Sequence, residues 1–484
     1  MHWYLISLVA GIAQEDGTQS IGSSPLHFLS MMSLSPNMGS PYALLKEMKS
    51  DERGMWLFNF LIACARCVAA GSLENASNGL EQISLLASPD GDIVQRIVAY
   101  FTEALADRVL KGWKPGLHKA LNSTKITSAA EVLLAEKLFF EYCPFLRLAY
   151  VVTNQAILEA MEREKVVHII DLHCFEPAQW INLLQELKVR REGPPHLRIT
   201  GIHDQKEVLD QMAFRLNEAA EKLDIPFQFN PIVSKLQNLD IGSLRVKSGE
   251  AVAISSVLQL HSLLAYDDDI IRKNSPSVGT NSSSSHLSKM FHMNPQTLGD
   301  FLERDVTNLF GGSPDSQSSS PVSVASSQKT LSFLNGLWSL SPKLMVVTEH
   351  ESDHNGCSLM DRVNEALKFY AALFDCLENT LPRAPFERQK IEKLLFGEEI
   401  KNIIACEGLE RKARHEKLEK WIPRLEFTGF GRVHLSFNGM RQAMRVLHSC
   451  NYDGFEIKED NGCFMICWHD YPLFSVSAWR FKRY

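Results

Sequence analysis

From residue 166 onwards, short apolar runs rich in β-branched residues alternate with longer stretches of helical periodicity. This alternation predicts a parallel sheet with helices on both faces, because each buried strand must be followed by a crossover before the next one begins. The sequence therefore places this part of the chain in the α/β class. The predicted strands are residues 166–171, 197–202, 251–257 and 344–348, and the predicted helices are residues 179–190, 206–223 and a long one carrying Val363, Leu367, Tyr370, Phe374 and Leu377.

The C-terminus breaks this rhythm with a predicted β-hairpin. Apolar residues alternate with polar ones on both sides of the turn Asp460-Asn461-Gly462, over residues 455–457 and 464–468. An Asn-Gly pair between alternating runs is the strongest short hairpin signal. Residues 475–481 add one more predicted strand. A parallel sheet completed by an antiparallel hairpin is the layout of a methyltransferase-like Rossmann core, which is the fold we predict.

Upstream of the predicted sheet, the chain from about residue 41 to residue 160 has the spacing of amphipathic helices. A second helix is predicted to begin near residue 92, after a Pro-Asp-Gly turn. We predict a disordered segment over residues 1–40, an N-terminal helical cap over about 41–160 and an α/β core over about 161–484. The buried face of the first cap helix is predicted to comprise Leu57, Phe60, Leu61, Cys64 and Val68.

Between about residues 273 and 329 the composition shifts to serine, asparagine and proline. Much of a segment this polar cannot bury enough apolar surface to form a core, so it is predicted to be an insertion in the α/β core. Ser275, Ser313 and Ser320 each precede a proline. Two interpretations remain open for these serines: proline-directed phosphorylation, or an ordinary solvated linker.

The composition argues against several classes of function. The 484 residues carry a formal net charge of -7, which gives no overall attraction to the phosphate backbone of DNA. No apolar run reaches the roughly 18 residues of a membrane span, and the apolar run near the N-terminus lacks the preceding Lys or Arg of a secretion signal. The ten cysteines are scattered, which indicates free thiols in a reducing compartment.

The loop after the first predicted strand decides whether the sheet can hold a nucleotide cofactor. In Rossmann-like folds this loop is rich in glycine, because backbone amides must approach a phosphate or a nucleoside closely. Here residues 171–177 contain no glycine, and the carboxylate of Glu176 would repel a diphosphate at the helix start. The chain also lacks G-x-S-x-G, P-loop and H-E-x-x-H motifs. We therefore predict no bound cofactor and no catalytic activity.

Polar residues follow several of the predicted strands, where the ligand sites of α/β sheets lie. If they converged, they would offer ligands for a metal or a general acid and base. Polar loops also follow the buried strands of every such fold, and this second interpretation is the one we prefer, so no metal site is predicted. The residues concerned are Asp171, His173, His203, Asp204, Glu349, His350, Glu351, Asp353 and His354.

Two shorter motifs each allow two interpretations. Leu260, Leu263 and Leu264 form an L-x-x-L-L sequence, which either binds the groove of a partner or packs in the core. The basic cluster of the chain lies within residues 411–417 and is interleaved with glutamates, so a solvated helix face is expected, with nuclear import as the alternative.

Several segments, in their order along the chain, resemble the GRAS family over roughly residues 40–484. The V-H-I-I-D sequence at 167–171 is the motif typical of the family, and residues 87–108 and 257–264 are similar to its two heptad-rich regions. Each motif alone is weak, but the ordered series is specific. Within the family, residues 167–180 and the serine-rich insertion look most like the scarecrow-like subgroup numbered three. Pro342, Phe369, Tyr370 and Arg388 fit the PFYRE region, and residues 411–421, Trp468-His469-Asp470 and Ser477-Ala478-Trp479 complete the series.

This resemblance implies a nuclear transcriptional regulator that acts through protein–protein interactions in gibberellin signalling and plant development. The implied partners are other GRAS proteins, including DELLA repressors, and zinc-finger DNA-binding proteins. A homodimer or heterodimer is compatible with this reading, DNA would be reached only indirectly, and no membrane partner is implied. A direct sequence-specific DNA-binding factor and a methyltransferase-like enzyme are the alternatives. Because the long N-terminal regulatory segment of DELLA proteins is missing, a hormone-degraded repressor is not expected.

The resemblance also singles out individual residues as positions for partner binding or for fold stability. Asp171 is expected to cap the helix that follows it, and Trp180 and Trp479 to bury a large apolar area. One departure from the family concerns Trp180, which follows Pro-Ala-Gln here and Gly-Leu-Gln elsewhere in the family. The residues carried over from the family motifs are His168, Asp171, Trp180, Phe369, Tyr370, Arg388, Ser477, Ala478 and Trp479.

Overall fold

A computed structural model of the chain describes residues 49–122, 128–267, 328–381, 385–450 and 453–482. The predicted N-terminal segment 1–40 lies outside the described residues, and so do Ser275, Ser313, Ser320 and nearly all of the serine-rich insertion. None of the helices in the described ranges is long and apolar enough to cross a membrane. All ten cysteines fall within these ranges and are free thiols.

In the described part of the chain, nine strands form one mixed sheet in the order β3-β2-β1-β4-β5-β9-β8-β7, with β6 paired to β9. Strands β1 to β5 are parallel, whereas β9 runs antiparallel to β5 and β8 antiparallel to β9. The α/β fold with a methyltransferase-like Rossmann core is therefore confirmed. The strands are β1 (Val166–Asp171), β2 (His196–His203), β3 (Phe227–Val233), β4 (Ala251–Val257), β5 (Leu344–His350), β6 (Phe430–Val433), β7 (Phe455–Asp460), β8 (Cys463–Trp468) and β9 (Tyr471–Phe481).

Helices cover both faces of the sheet and build the cap. Helices from the C-terminal half of the chain join the N-terminal ones in the cap, where α10 packs on α1 and α12 packs on α3. The helices are α1 (Ser50–Ala69), α2 (Leu73–Ser84), α3 (Ile93–Trp113), α4 (Pro115–Asn122), α5 (Ala129–Tyr142), α6 (Phe145–Ala160), α7 (Pro177–Lys188), α8 (Lys206–Leu223), α9 (Gln328–Ser339), α10 (Leu359–Thr380), α11 (Pro385–Ile391), α12 (Glu398–Ala405), α13 (Leu418–Phe427) and α14 (Phe437–Ser449), with a π-helical turn at Glu392–Gly397.

Local sequence accounts for most of these elements. The central strands β1, β4 and β5 are buried along nearly their whole length, as expected for parallel strands covered on both faces. The predicted face of α1 is buried in full, from Leu57 to Val68. In the hairpin, Asn461 and Gly462 have φ values of 52° and 81°, the left-handed conformation that a two-residue turn of type I′ requires.

The sequence analysis missed two strands, β3 and β6. The exposed side chains of β3 lie among half-buried ones along the edge of the sheet, so the segment has no continuous apolar run. Strand β6 is short and pairs only with β9 in the described structure. Both strands depend on partners that are distant in the sequence.

Candidate functional site

A cavity of about 280 Å³ opens at the carboxyl ends of the parallel strands, beneath the cap. His173 from the loop after β1, His261 after β4 and His350 at the end of β5 line it from below. Phe396 and Glu399 line it from the cap side. This is where α/β sheets bind ligands, because the loops between neighbouring strands meet there.

The backbone amides of the loop after β1 donate hydrogen bonds to β4, to β2 and to Asp171. The amide of Leu172 donates to Ser255 O at 2.9 Å, and that of Cys174 donates to Ile202 O at 3.0 Å. Between them, the amide of His173 donates to Asp171 Oδ1 at 3.1 Å. Three consecutive amides that could hold a phosphate are thus already hydrogen-bonded within the protein. The side chain of Phe175, in the same loop, is buried.

Asp171 is buried at the end of β1 and does not cap the following helix, so that expectation is wrong. The N-cap of α7 is Glu176, whose Oε1 accepts from Ala178 N at 3.1 Å. Asp171 Oδ2 instead accepts a hydrogen bond from Trp180 Nε1 at 2.8 Å. Burial raises the pKa of Asp171 to about 6, although the bonds from Trp180 and His173 act in the opposite direction.

His168 lies inside the sheet, in the middle of β1, and is not part of the cavity lining. Its Nε2 is 2.8 Å from Thr200 Oγ1, and its Nδ1 is 3.0 Å from Arg198 Nη2. Burial, and then the charge of Arg198, lowers its pKa. His168 therefore connects β1 to β2 as a neutral ring within the fold.

The residues of the PFYRE region lie behind two residues of the cavity lining, His350 and Glu399, and in the cap. Phe369 on α10 is buried, and its ring centroid lies 5.5 Å from that of His350. Tyr370, next to it, donates from its hydroxyl to Glu399 Oε2 at 2.6 Å. Arg388 on α11 is further away in the cap, where its Nη1 donates to Glu378 Oε2 at 3.0 Å.

The Ser-Ala-Trp sequence of β9 is buried in the antiparallel part of the sheet. Ser477 and Ala478 pair with Val347 and Val346 of β5. The indole Nε1 of Trp479 donates to Ser477 Oγ at 2.9 Å, and the whole side chain is inaccessible to solvent. These residues hold the C-terminal strand against the parallel core.

The L-x-x-L-L sequence forms a 3₁₀ turn directly after β4. Leu260, Leu263 and Leu264 are all buried in the apolar cluster on one face of the sheet, together with Trp421 and Trp479. In the folded chain these leucines pack in the core, so they are not available to the groove of a partner.

The basic cluster at 411–417 is not a solvated helix face, and that expectation is wrong. Residues 411–417 have no regular secondary structure, and Arg411 and Arg414 are buried. Arg411 Nη1 donates to His354 O at 3.0 Å, and Arg414 Nη1 donates to Asn355 Oδ1 at 3.0 Å. The arginines thus supply donors to carbonyl groups inside the protein, which are rarely left unpaired there.

The polar residues that follow the strands only partly come together. His173 and His203 stack with ring centroids 5.1 Å apart, but Glu351 and Asp353 bond outside the cavity, to Leu418 N and to Lys420 Nζ. Sequence analysis missed two other members of the site. His415 was hidden in the charged run, where its neighbours dominate the pattern, and His261 was hidden between the leucines after β4.

The chain is similar to known proteins along almost its whole length. The GRAS domain family matches residues 57–480. Scarecrow-like protein 3 of Arabidopsis thaliana is 56% identical over 98% of this chain and 100% of its own length. The GRAS family protein TF80 of Medicago truncatula is 52% identical over 92% of this chain and 99% of its own length. Among solved structures, SCL7 of Oryza sativa has a TM-score of 0.67 and 27% identity, and it covers 88% of this chain and 99% of its own.

Proposed function

Because the chain belongs to the GRAS domain family, we propose that it is a nuclear transcriptional regulator that acts by binding other proteins. Its proposed setting is gibberellin signalling and plant development. The proposed partners are other GRAS proteins, including DELLA repressors, and zinc-finger proteins that supply the contact with DNA. A dimer with another GRAS chain is part of the same proposal.

The observation on which the proposal rests most is the set of hydrogen-bonded amides in the loop after β1. A Rossmann-like enzyme uses the free amides of this loop to hold its cofactor. Here the amides of residues 172–174 are bonded to Ser255, Asp171 and Ile202. This supports the proposal that the α/β core is a scaffold and that the functional surface lies outside the cofactor position of the fold.

The cap offers surfaces suited to protein contacts. Helix α4 buries none of its side chains against the described part of the chain, and Trp113 and Leu117 are 52% and 48% exposed. Together with Leu80 and Val109 they line a groove between α2, α3 and α4. Large apolar side chains grouped in the open are typical of surfaces that bind other proteins.

Electrostatics supports an indirect contact with DNA. The net charge of -7 opposes approach to a phosphate backbone. In the segment with the densest basic residues, Arg411 and Arg414 donate to the backbone carbonyls of His354, Arg411 and Gly408 inside the protein. These two arginines are therefore withdrawn from the surface that a DNA-binding protein would need.

The proposal can be tested by selecting bound duplexes from a random DNA pool. The purified full chain is used alone, and again in the presence of a plant zinc-finger transcription factor. We expect a motif to be enriched only when the partner is present. Enrichment by the chain alone would contradict the proposal and favour direct DNA binding. No retention of any tested zinc-finger protein or GRAS chain would contradict protein binding as the mode of action.

Surface variants test whether the cap groove is the surface that binds a GRAS partner. Leu117→Glu places a charge in the cap groove, whereas Val189→Glu places one on a 76% exposed position at the end of α7, away from the cap. Both variants should fold, because neither side chain is buried. We expect only Leu117→Glu to weaken retention of a GRAS partner. Equal effects of the two variants would argue against the groove as the contact surface.

A further inference from the structure

Three histidines that are distant in the sequence meet beside the cavity. His261 follows β4, His350 ends β5, and His415 lies in the irregular segment before α13. One ring nitrogen from each is within 4.8 Å of one from each of the others. The ring centroids of His350 and His415 are 4.0 Å apart, and those of His261 and His415 are 4.4 Å apart.

The hydrogen bonds of these histidines leave one nitrogen of each ring available. His261 Nδ1 is 3.0 Å from Glu349 Oε2, which leaves Nε2. His415 Nδ1 is 2.8 Å from His354 Nδ1, and its Nε2 forms no hydrogen bond in the described residues, although Glu399 Oε1 lies 3.3 Å away. His350 Nδ1 likewise has none within the same ranges.

In the described part of the chain, His350 Nδ1 and His415 Nε2 lack hydrogen bonds in a buried environment, where this has an energetic cost. His415 is fully buried and His350 is only 8% exposed. A buried polar atom without a hydrogen bond costs roughly 1–3 kcal/mol, so native proteins rarely leave two of them in neighbouring side chains. A ligand shared by both nitrogens would remove this cost.

The surroundings of the cluster have the features of the outer shell of a metal site. Histidines that bind metals are usually oriented by a second hydrogen bond from the opposite ring nitrogen. Glu349 orients His261 and is itself fixed by the amides of Gln259 and Leu260, at 3.0 and 2.7 Å. His354 orients His415, and its other nitrogen is 2.8 Å from Ser352 Oγ.

Two of the three imidazole rings, those of His350 and His415, favour the neutral form that binds metals. Burial is the main cause that lowers the pKa of both His350 and His415 well below the ordinary value. Burial acts on His261 in the same direction, but the charge and hydrogen bond of Glu349 leave its pKa raised. Binding a cation at its Nε2 would therefore displace at most one proton from this group.

We propose that His261, His350 and His415 bind one divalent transition metal ion of the Zn²⁺ class. Imidazole nitrogens suit this class of ion, and three of them with one further position is a common zinc geometry. Tetrahedral zinc at about 2.0–2.1 Å from each nitrogen brings the nitrogens to about 3.4 Å from one another. The present separations, each within 4.8 Å, would shorten when the ion binds.

Glu399 is a candidate for the fourth position because it approaches His415. Its Oε1 lies 3.3 Å from His415 Nε2, and its Oε2 is held by the hydroxyl of Tyr370. Glu399 belongs to α12 in the cap, whereas His261 and His350 belong to the sheet. The ion would thus join the cap, the two central strands and the segment before α13, so its effect is on stability.

The test uses the full chain, stripped of metal with a chelator and then titrated with Zn²⁺ by calorimetry. We expect one equivalent to bind and the midpoint of thermal unfolding to rise, because the ion binds only the folded chain. Titration with Co²⁺ should give the visible absorption of tetrahedral cobalt, without the near-ultraviolet charge-transfer band of thiolate ligands. A thiolate band, or no binding of either ion, would overturn the proposal.

Two variants and one control locate the site. His350→Gln and His261→Gln each remove one ligand at a position that is not completely enclosed, and both should abolish the cobalt spectrum and the rise in the unfolding midpoint. His173→Gln changes another imidazole of the same cavity, outside the cluster, and should retain both. Circular dichroism establishes that each variant is folded. Retention of the cobalt spectrum in both cluster variants, or its loss in His173→Gln, would contradict the assignment.

Discussion

At the scale of single residues, the family motifs act largely through hydrogen bonds inside the core. Trp180 donates to Asp171, and Trp468 donates from its Nε1 to Asp375 Oδ2 at 2.8 Å. Trp479 donates to Ser477 within the same strand. An indole N–H in the core needs such an acceptor, because burying it without one has an energetic cost. We therefore expect these three tryptophans to contribute to the stability of the fold.

The bond between Trp180 and Asp171 leads to a prediction about stability. Trp180→Phe should lower the free energy of unfolding by about 2 kcal/mol beyond the effect of the smaller ring, because a buried carboxylate loses a donor. Trp421→Phe is the matched control, since Trp421 is equally buried and its Nε1 has no partner in the described residues. Urea denaturation measures both. Equal losses would show that the hydrogen bond contributes little.

Glu392 in the cap leads to a prediction about pH. Burial raises its pKa to about 7, although the charges of Arg96 and Arg388 act against this. An unfolded glutamate titrates near about 4.3. The stabilising contribution of the protonated group is therefore complete below that pH and is lost as the pH rises through 7.

Glu392→Gln stays neutral and lacks this dependence. Relative to the wild type, its free energy of unfolding should increase by roughly 2–3 kcal/mol between pH 5 and pH 8, at about 1.4 kcal/mol for each pH unit below the raised pKa. Urea denaturation at both values measures the difference. Glu398→Gln, at an exposed position of α12, should follow the wild type. Parallel pH profiles for wild type and Glu392→Gln would contradict the prediction.

At the scale of elements, helix α3 depends on a capping box at its start. Gln95 N donates to Asp92 Oδ1 at 3.0 Å, and Asp92 N donates to Gln95 Oε1 at 3.1 Å. Asp92 Oδ2 also accepts from Arg53 Nη2 of α1 at 2.8 Å. One side chain thus fixes the first turn of α3 and its distance from α1.

Removing that side chain should destabilise the chain in a graded way. Asp92→Ala loses both the cap and the ion pair with Arg53, and we expect a loss of about 1–2 kcal/mol. Asp92→Asn keeps an acceptor for Gln95 N and should lose less than half as much, because partly exposed ion pairs contribute little. Thermal unfolding of the two variants measures the difference. Equal losses would assign the effect to the charge.

At the scale of the whole molecule, the cap and the sheet share one apolar core. The same cluster of buried side chains contains Phe58 of α1, Phe374 of α10, Ile169 of β1 and Phe474 of β9. Because these contacts are continuous, the cap is not expected to unfold apart from the sheet. Far-ultraviolet circular dichroism and tryptophan fluorescence should report coincident transitions.

A substitution in the cap tests this coupling. At Gly397, in the π-helical turn, an added Cβ would lie 2.7 Å from Tyr100 Cδ1. Gly397→Ala should therefore lower the free energy of unfolding by about 1–3 kcal/mol through overpacking. The unfolding midpoint recorded by circular dichroism and the one recorded by fluorescence should fall by the same amount. Gly112→Ala on α3 is the control, since an added Cβ there meets nothing within 4 Å. A shift of one probe alone would show that the cap unfolds separately.

Elements whose signal is local could be predicted from the sequence. Strand β4 and helix α8 have the predicted bounds, because apolar periodicity and turn residues lie within the element itself. The hairpin of β7 and β8 follows from Asn461-Gly462, and the absence of glycine from residues 171–177 is visible without any structure.

Which residues share a site depends on contacts between distant parts of the chain. Arg411 and Arg414 have the sequence pattern of a solvated face, but they are buried and donate to the backbone carbonyls of His354, Arg411 and Gly408. Asp171 has the position of a helix cap, but its carboxylate is taken by Trp180. The meeting of His261, His350 and His415 depends on the order of strands and on the path of an irregular segment. Contacts between distant parts of a chain have no local periodicity, so single-sequence patterns do not contain them.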